Sequence, residues 1–189
     1  KNNYDSWASL DPGERQQEIA LRLQEVSDSI FESINTKVEQ KEFPHGAGTT
    51  LTLFLVIGNQ GLLAHVGDSR LYLIRKDVAH QLTVDHTLVG KLFREGVIGT
   101  EQLVNHPYKH ILTRSVGGSS QSKMDFLWFD ILPEDACLLC CDGFYSGFHN
   151  DQEIANKFNE LRSDPDQCEK LYKYASENWG VDNISLISI

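Results

Sequence analysis

Apolar residues recur at helical spacing through Ile19, Leu23, Val26, Ile30 and Ile34, with Phe31 and Val38 widening the stripe. This pattern predicts a long amphipathic helix that packs on one face and ends near Glu39. Asp11-Pro12-Gly13-Glu14 marks its start: an acid to cap it, proline at the first helical position and an acid three residues after the cap. After a loop from Phe43 to Gly48 the residues become β-branched and aliphatic, in short runs. Thr49 to Ile57, Leu62 to Val66, Arg70 to Arg75 and Val78 to Thr83 read as strands, separated by Gly58-Asn59-Gln60-Gly61, Gly67-Asp68-Ser69 and Lys76-Asp77. Such close turns predict an antiparallel meander of these strands.

From Thr87 to Arg94 the period is helical again, with Leu88, Leu92 and Phe93 on one side and Gly96 closing the helix. Gly99-Thr100-Glu101 begins another brief helical turn, and Asn105-His106-Pro107 opens an irregular polar stretch that reaches Leu112-Thr113-Arg114. The segment 87–108 is taken as a surface insert in a single domain spanning 1–189. Met124 to Ile131 and Cys137 to Cys141 are two further strands, expected to form a hairpin through Pro133-Glu134-Asp135. Helices Asp151 to Leu161 and Asp164 to Asn178 precede a last strand, Ile184 to Ile189. The order predicts an α+β fold with antiparallel sheets and segregated helices.

Composition narrows the partners. There are 17 basic against 27 acidic residues, a formal charge of -10, and no run rich in lysine or arginine, so nucleic acid and anionic membranes are poor partners. No apolar stretch has the length of a membrane span. Cys137 and Cys140 are three apart on one strand and so point to opposite faces, which excludes joint metal or redox work. Free thiols of this kind suit a reducing cytoplasm. The first residue is Lys1 rather than Met, with no signal segment after it, so further residues are expected upstream.

The densest candidate chemistry lies at Cys137-Leu138-Leu139-Cys140-Cys141-Asp142-Gly143, an apolar run that stops at a carboxylate. It predicts a buried strand that holds Asp142 at its exit, with Gly143 clearing the space beside it. Asp182 stands in the same way just before the last strand. If these strands are antiparallel neighbours, both acids reach one sheet edge and repel unless a cation lies between them. Oxygen-only ligands would select Mg²⁺ or Mn²⁺. Two unrelated turn aspartates are the competing interpretation at this point. His65 and His86 are assigned to packing or loops.

Six blocks in order carry a family resemblance: Gly48-Thr49-Thr50, Val66-Gly67-Asp68-Ser69-Arg70, Leu82-Thr83-Val84-Asp85-His86, Leu112-Thr113-Arg114-Ser115-Val116-Gly117, Leu138 to Gly143, and Asp182-Asn183-Ile184-Ser185. From about Gly46 to Ile189 the chain resembles the type 2C metal-dependent serine/threonine protein phosphatases, bacterial branch, and the 87–108 insert resembles their flap. The resemblance implies a sandwich of two antiparallel β-sheets flanked by helices, with a binuclear Mn or Mg centre at one sheet edge. It carries Asp142 and Asp182 over as ligands of one catalytic ion and Asp85 as the ligand of a third, weaker one, while Asp68, Ser69 and Arg70 match a structural block. It implies hydrolysis of phosphoserine and phosphothreonine by a metal-activated water, phosphoprotein substrates, an opposing serine/threonine kinase, and a cytoplasmic monomer. The family's first metal-binding block, Asp-Gly-x-Gly-Gly, is not in this sequence, whose one Asp-Gly is Asp142-Gly143. The expectation is therefore a domain whose N-terminal strands lie upstream of Lys1. The rival is a pseudophosphatase or regulatory binding module that keeps the fold without a complete metal site. Cys141 is excluded as a nucleophile because it lacks the phosphate-cradling glycine loop and arginine of thiol phosphatases.

Overall fold

Strands that are apolar on both faces must be covered on both sides, and this requirement sets the layers. The computed structural model describes residues 7, 10–99, 102–103, 106–118, 122–178 and 182–189. Within β3 (Gln60–Val66) every residue after the first is buried, and so are the inner residues of β4 (Arg70–Arg75). Alternate side chains of these strands face different layers. Leu63, Leu71, Leu73 and Cys137 form one cluster between the sheets, with Phe54, Phe129 and Leu139 packed on it. On the far side of one sheet, Ala64 and Val66 join Val116 and Met124 under Leu23, Phe31 and Ile34. On the far side of the other, Tyr72, Ile74, Leu138 and Cys140 pack against Phe144, Ile154, Phe158 and Leu171.

The result is a helix–sheet–sheet–helix sandwich. One sheet has the order β2 (Leu51–Ile57), β3, β7 (Asp125–Asp130); the other has the order β5 (Val78–Gln81), β4, β8 (Ala136–Cys140), β9 (Leu186–Ser188). A two-stranded ladder joins β1 (Gly48–Thr49) to β6 (Val116–Gly117). Every pairing is antiparallel. The expected four-strand meander is therefore divided: β2–β3 and β4–β5 are tight hairpins, but Gly67-Asp68-Ser69 carries the chain from one sheet to the other. A meander would expose one face of both β3 and β4, and neither strand has a polar face to expose. The hairpin expected between β7 and β8 is absent for the same reason; β7 pairs with β3, and β8 with β4 and β9.

Helix α1 (Pro12–Glu39) starts where its signals place it, with the Asp11 side chain accepting from the N–H groups of Gly13 and Glu14. Its packed face differs from the predicted stripe. Ile19 and Ser27 are buried, whereas Val26 is 54% and Ile30 38% exposed. Ser27 tolerates burial because its hydroxyl donates to the Ser122 carbonyl at 3.4 Å. Helix α2 (Leu88–Arg94) is capped by Thr87, whose side chain accepts from Gly90 N–H, and an isolated antiparallel bridge from Thr87 to Leu112 closes the segment between them. The predicted turn at Thr100-Glu101 and the start of the polar stretch at Asn105 lie outside the described residues. Helix α3 (Asp142–Tyr145) replaces the turn expected after β8. Helices α4 (Asp151–Glu160) and α5 (Gln167–Asn178) cover the second sheet, α5 beginning later than Asp164 because that residue forms a turn with Asp166 N–H. Cys137 and Cys140 are buried free thiols on opposite faces of β8, while Cys168 is exposed.

His65 and His86 are both 1% exposed, and their rings lie 4.9 Å apart. Gly67 N–H donates to His86 Nδ1 at 3.1 Å, so His86 carries its proton on Nε2, which faces Asp125 at 2.9 Å. His65 meets Thr52 Oγ1 through Nδ1 at 2.9 Å, and its buried Nε2 has no hydrogen-bond partner among the described residues. Burial, and next the neighbouring His86, push His65 down to about 4 from the 6.5 of a free imidazole. The unfolded chain thus takes up the proton first, and stability is lost as pH falls from about 6.5 towards 4. At 1.36 kcal/mol per unit the loss from His65 is at most roughly 3 kcal/mol. Urea midpoints measured across this window should fall for the parent protein and fall less for His65→Gln; equal slopes would contradict the assignment.

Candidate metal centre

The register of the second sheet assembles an acidic edge. Arg70 at the start of β4 pairs with Cys140 at the end of β8, and Cys140 pairs with Leu186 at the start of β9. Beyond that row, Cys141 N–H donates to the Ser185 carbonyl at 3.1 Å. Cys141 Sγ receives Ser185 N–H and lies 3.2 Å from the Asn183 carbonyl. The exit of β8 is thereby tied to the approach of β9, which brings Asp182 against Gly143, the residue after Asp142. Gly143 is the contact point: a Cβ there would lie 2.3 Å from the Asn183 carbonyl oxygen and 3.3 Å from Asp182 Cβ. Glycine is needed for this backbone approach. The space beside Asp142 that Gly143 was expected to leave for an ion is filled by Asn183.

Each acid engages one oxygen with the N–H of the residue after it. Asp142 Oδ1 accepts from Gly143 N–H at 2.9 Å, and Asp182 Oδ1 accepts from Asn183 N–H at 2.7 Å. Their second oxygens have no hydrogen-bond partner among the described residues. A third carboxylate joins them from the crossing between sheets. Burial first, then the charges of Asp142 and Asp85, push Asp68 up to about 6, with its own backbone N–H and Arg70 only partly opposing the rise. Asp68 falls in the block that the resemblance matches as structural, although Val66-Gly67-Asp68 repeats the pattern at Asp142: a fully apolar strand that ends at an acid. Gly67 allows the crossing with φ +116, and a Cβ there would meet Thr50 at 2.4 Å.

Asp85 is placed differently from expectation. Arg70 grips it with two bonds, Nε to Oδ1 at 3.0 Å and Nη2 to Oδ2 at 2.7 Å, and Gln81 Nε2 adds a third at 3.0 Å. Both oxygens are taken and the charge is neutralised, so an ion would have to displace a bidentate guanidinium. This geometry does not support Asp85 as the ligand of a third ion; Asp68 is the acid that stands beside Asp142.

Comparison with known proteins decides the family. The model of the family described as "Protein phosphatase 2C" matches residues 2–91. The serine/threonine phosphatase stp of Listeria innocua is 31% identical over 185 residues, covering 98% of this chain and 73% of that protein. The chain belongs to the protein phosphatase 2C family. The protein phosphatase PhpP of Streptococcus pneumoniae is 37% identical over 147 residues, 78% of this chain and 59% of that protein. Among solved structures, the serine/threonine phosphatase of S. agalactiae superposes with a TM-score of 0.84 at 27% identity, covering 91% of this chain and 70% of that one. The catalytic domain of the phosphatase PstP, in complex with 2 manganese ions, gives a TM-score of 0.74 at 26% identity over 96% of this chain and 73% of that one. The chain thus spans between about three fifths and three quarters of the relatives it matches.

The donor set of this protein phosphatase 2C chain suits a hard divalent ion. Asp68, Asp142 and Asp182 offer oxygen only, and two of them repel each other in the absence of a cation. Among the described residues no group of three or more His, Cys, Asp or Glu side chains is arranged to hold a metal ion by itself. An open site with few carboxylates and several waters is how Mg²⁺, and Mn²⁺ of similar chemistry, are commonly held. The repulsion yields a test. Because the folded-state value of Asp68 lies above its unfolded 3.8, metal-free stability should decline as pH rises from about 4 to 6. Asp68→Asn should therefore stabilise the metal-free protein at pH 7 by on the order of 1–3 kcal/mol and by little at pH 4. Thermal unfolding in chelator reads this out, and a variant less stable than the parent at pH 7 would contradict it.

Proposed function

We propose that the whole protein hydrolyses phosphoserine and phosphothreonine in proteins, using a water held by divalent metal at the edge formed by Asp68, Asp142 and Asp182. The observation that carries this reading is the close approach of Asp182 to Gly143, the residue after Asp142, in a chain of the protein phosphatase 2C family. Manganese or magnesium, when bound, lowers the pKa of a coordinated water and clamps phosphoryl oxygens. Asp142 and Asp182 each keep one oxygen without a hydrogen-bond partner among the described residues, on a backbone pinned by the β8–β9 contacts. Asp68 enters from the other sheet. No side-chain nucleophile is required: burial raises Cys140 far above the ordinary thiol range, and Cys141 is engaged with Asn183 and Ser185.

Phosphoproteins are the substrates in this reading, supported by the names of the Listeria and Streptococcus relatives. A serine/threonine kinase supplies them, since phosphomonoesters on serine and threonine must be made before they are removed. The net charge of -10 disfavours nucleic acid and anionic membranes, and no described helix is long and apolar enough to cross a membrane. A cytoplasmic monomer of a single domain, with the 87–108 segment as a flap, completes the proposal; the free cysteines are consistent with that compartment. The incomplete cage among the described residues favours one alternative, a binding module without catalysis. Mn²⁺-dependent turnover of a small aryl phosphate separates the two. The full-length protein should be active, and Asp142→Asn should lower turnover roughly 100-fold or more with an unchanged circular dichroism spectrum. Metal-independent turnover, or full activity in the variant, would overturn this assignment.

A further inference from the structure

Beneath the acidic edge lies a polar group that a ligand list does not include. Arg70 is held by Asp85 on one side and stacks on Tyr145 on the other, its guanidinium carbon 3.6 Å from the ring centroid. Tyr145 ends the short helix that Asp142 begins, and its hydroxyl donates to the Asp68 carbonyl at 3.2 Å. Burial pushes the Tyr145 phenol far above its ordinary range, so the hydroxyl keeps the proton it donates. Arg70 Nη1 also donates to Tyr72 at 2.8 Å, and Tyr72 in turn donates to Asp151 at the start of α4. One guanidinium therefore fixes the segment carrying Asp142 and, through Tyr145, the backbone of Asp68.

We propose that Arg70, oriented by Asp85 and acting through Tyr145, is a positioning residue that sets the separation of Asp68 and Asp142 and hence the affinity of the site for divalent metal. The proposal rests on the metal-centre reading above. It also gives Asp85 a role that differs from ligation. Asp85 orients Arg70 with its carboxylate while its backbone carbonyl accepts from Arg94 Nη1 at 3.2 Å and abuts Gly90, where a Cβ would lie 2.9 Å away. Arg94 and Gly90 belong to α2, so the 87–112 segment leans on the residue that holds the clamp.

The same strand supplies its own control. At the other end of β4, Arg75 grips Asp135 with the same pair of bonds, at 2.9 and 2.7 Å, far from the acids. Lysine keeps the charge in either place but loses the planar fork and the stack. Calorimetric titration of Mn²⁺ into the full-length protein should show affinity reduced about tenfold or more in Arg70→Lys, as for residues that orient ligands, and unchanged in Arg75→Lys. Should Arg70→Lys fail to fold, Tyr145→Phe removes only the hydroxyl and should weaken Mn²⁺ by about 2- to 10-fold, the worth of one hydrogen bond. Parent-like affinity in Arg70→Lys or Tyr145→Phe, or an equal loss in Arg75→Lys, overturns the proposal while leaving the metal centre standing. A parent protein that takes up no Mn²⁺ overturns the metal-centre reading and this proposal with it.

Discussion

Burial of β3, β4 and β8 on both faces is the constraint from which the site follows. A strand with no polar face can carry chemistry only at its ends, because an ionised side chain in the interior costs several kcal/mol unless paired. Antiparallel register then decides which ends meet. Arg70 stands opposite Cys140, and Cys140 opposite Leu186, so the exit of β8 and the approaches to β4 and β9 fall at one edge. The crossing from β3 to β4 delivers Asp68 there as well. Core packing thus brings Asp182 against Gly143 and the charge of Asp142 within reach of Asp68, without any local motif that contains all three acids.

Gathering them has an electrostatic consequence. Burial first, and next the nearby charges of Asp142 and Asp85, hold Asp68 up at about 6. A cation relieves what the fold has imposed. Stability and function thus pull in different directions at this edge, a common arrangement where a site must be held ready for its ligand. Arg70 moderates the conflict without ending it: its two strong bonds go to Asp85, and it reaches Asp68 only as a charge and through Tyr145.

Much of this was legible in the residues. The cap at Asp11 is a local signal and begins a helix in the structure, and the segments expected to be helical from Thr87 and from Asp151 are helices as well. The apolar run to Asp142 fixed a buried strand with an acid at its exit, and the neighbouring β9 brought Asp182 to it. What could not be read was sheet membership. A three-residue break at Gly67-Asp68-Ser69 looks the same whether it closes a hairpin or crosses a sandwich, and only the absence of a polar face on β3 and β4 separates the two. The face of α1 was misjudged because Ser27 is buried through a bond to Ser122, ninety-five positions away. Asp85 and Arg70 are fifteen apart, and no periodicity links them; their ion pair emerges only when the β4–β5 hairpin places Gln81 and Asp85 beside the start of β4.

In the proposed function, Asp68, Asp142 and Asp182 form the cation-binding edge and Asp85 belongs to the clamp that holds Arg70. Anomalous diffraction at the manganese edge, from crystals of the full-length protein grown with Mn²⁺, tests it most directly. The expected result is an ion about 2 Å from a carboxylate oxygen of Asp142, a further contact from Asp182 or Asp68, and an intact Arg70–Asp85 pair. Manganese bound to Asp85 with Arg70 swung away, or no anomalous density at this edge, would contradict it.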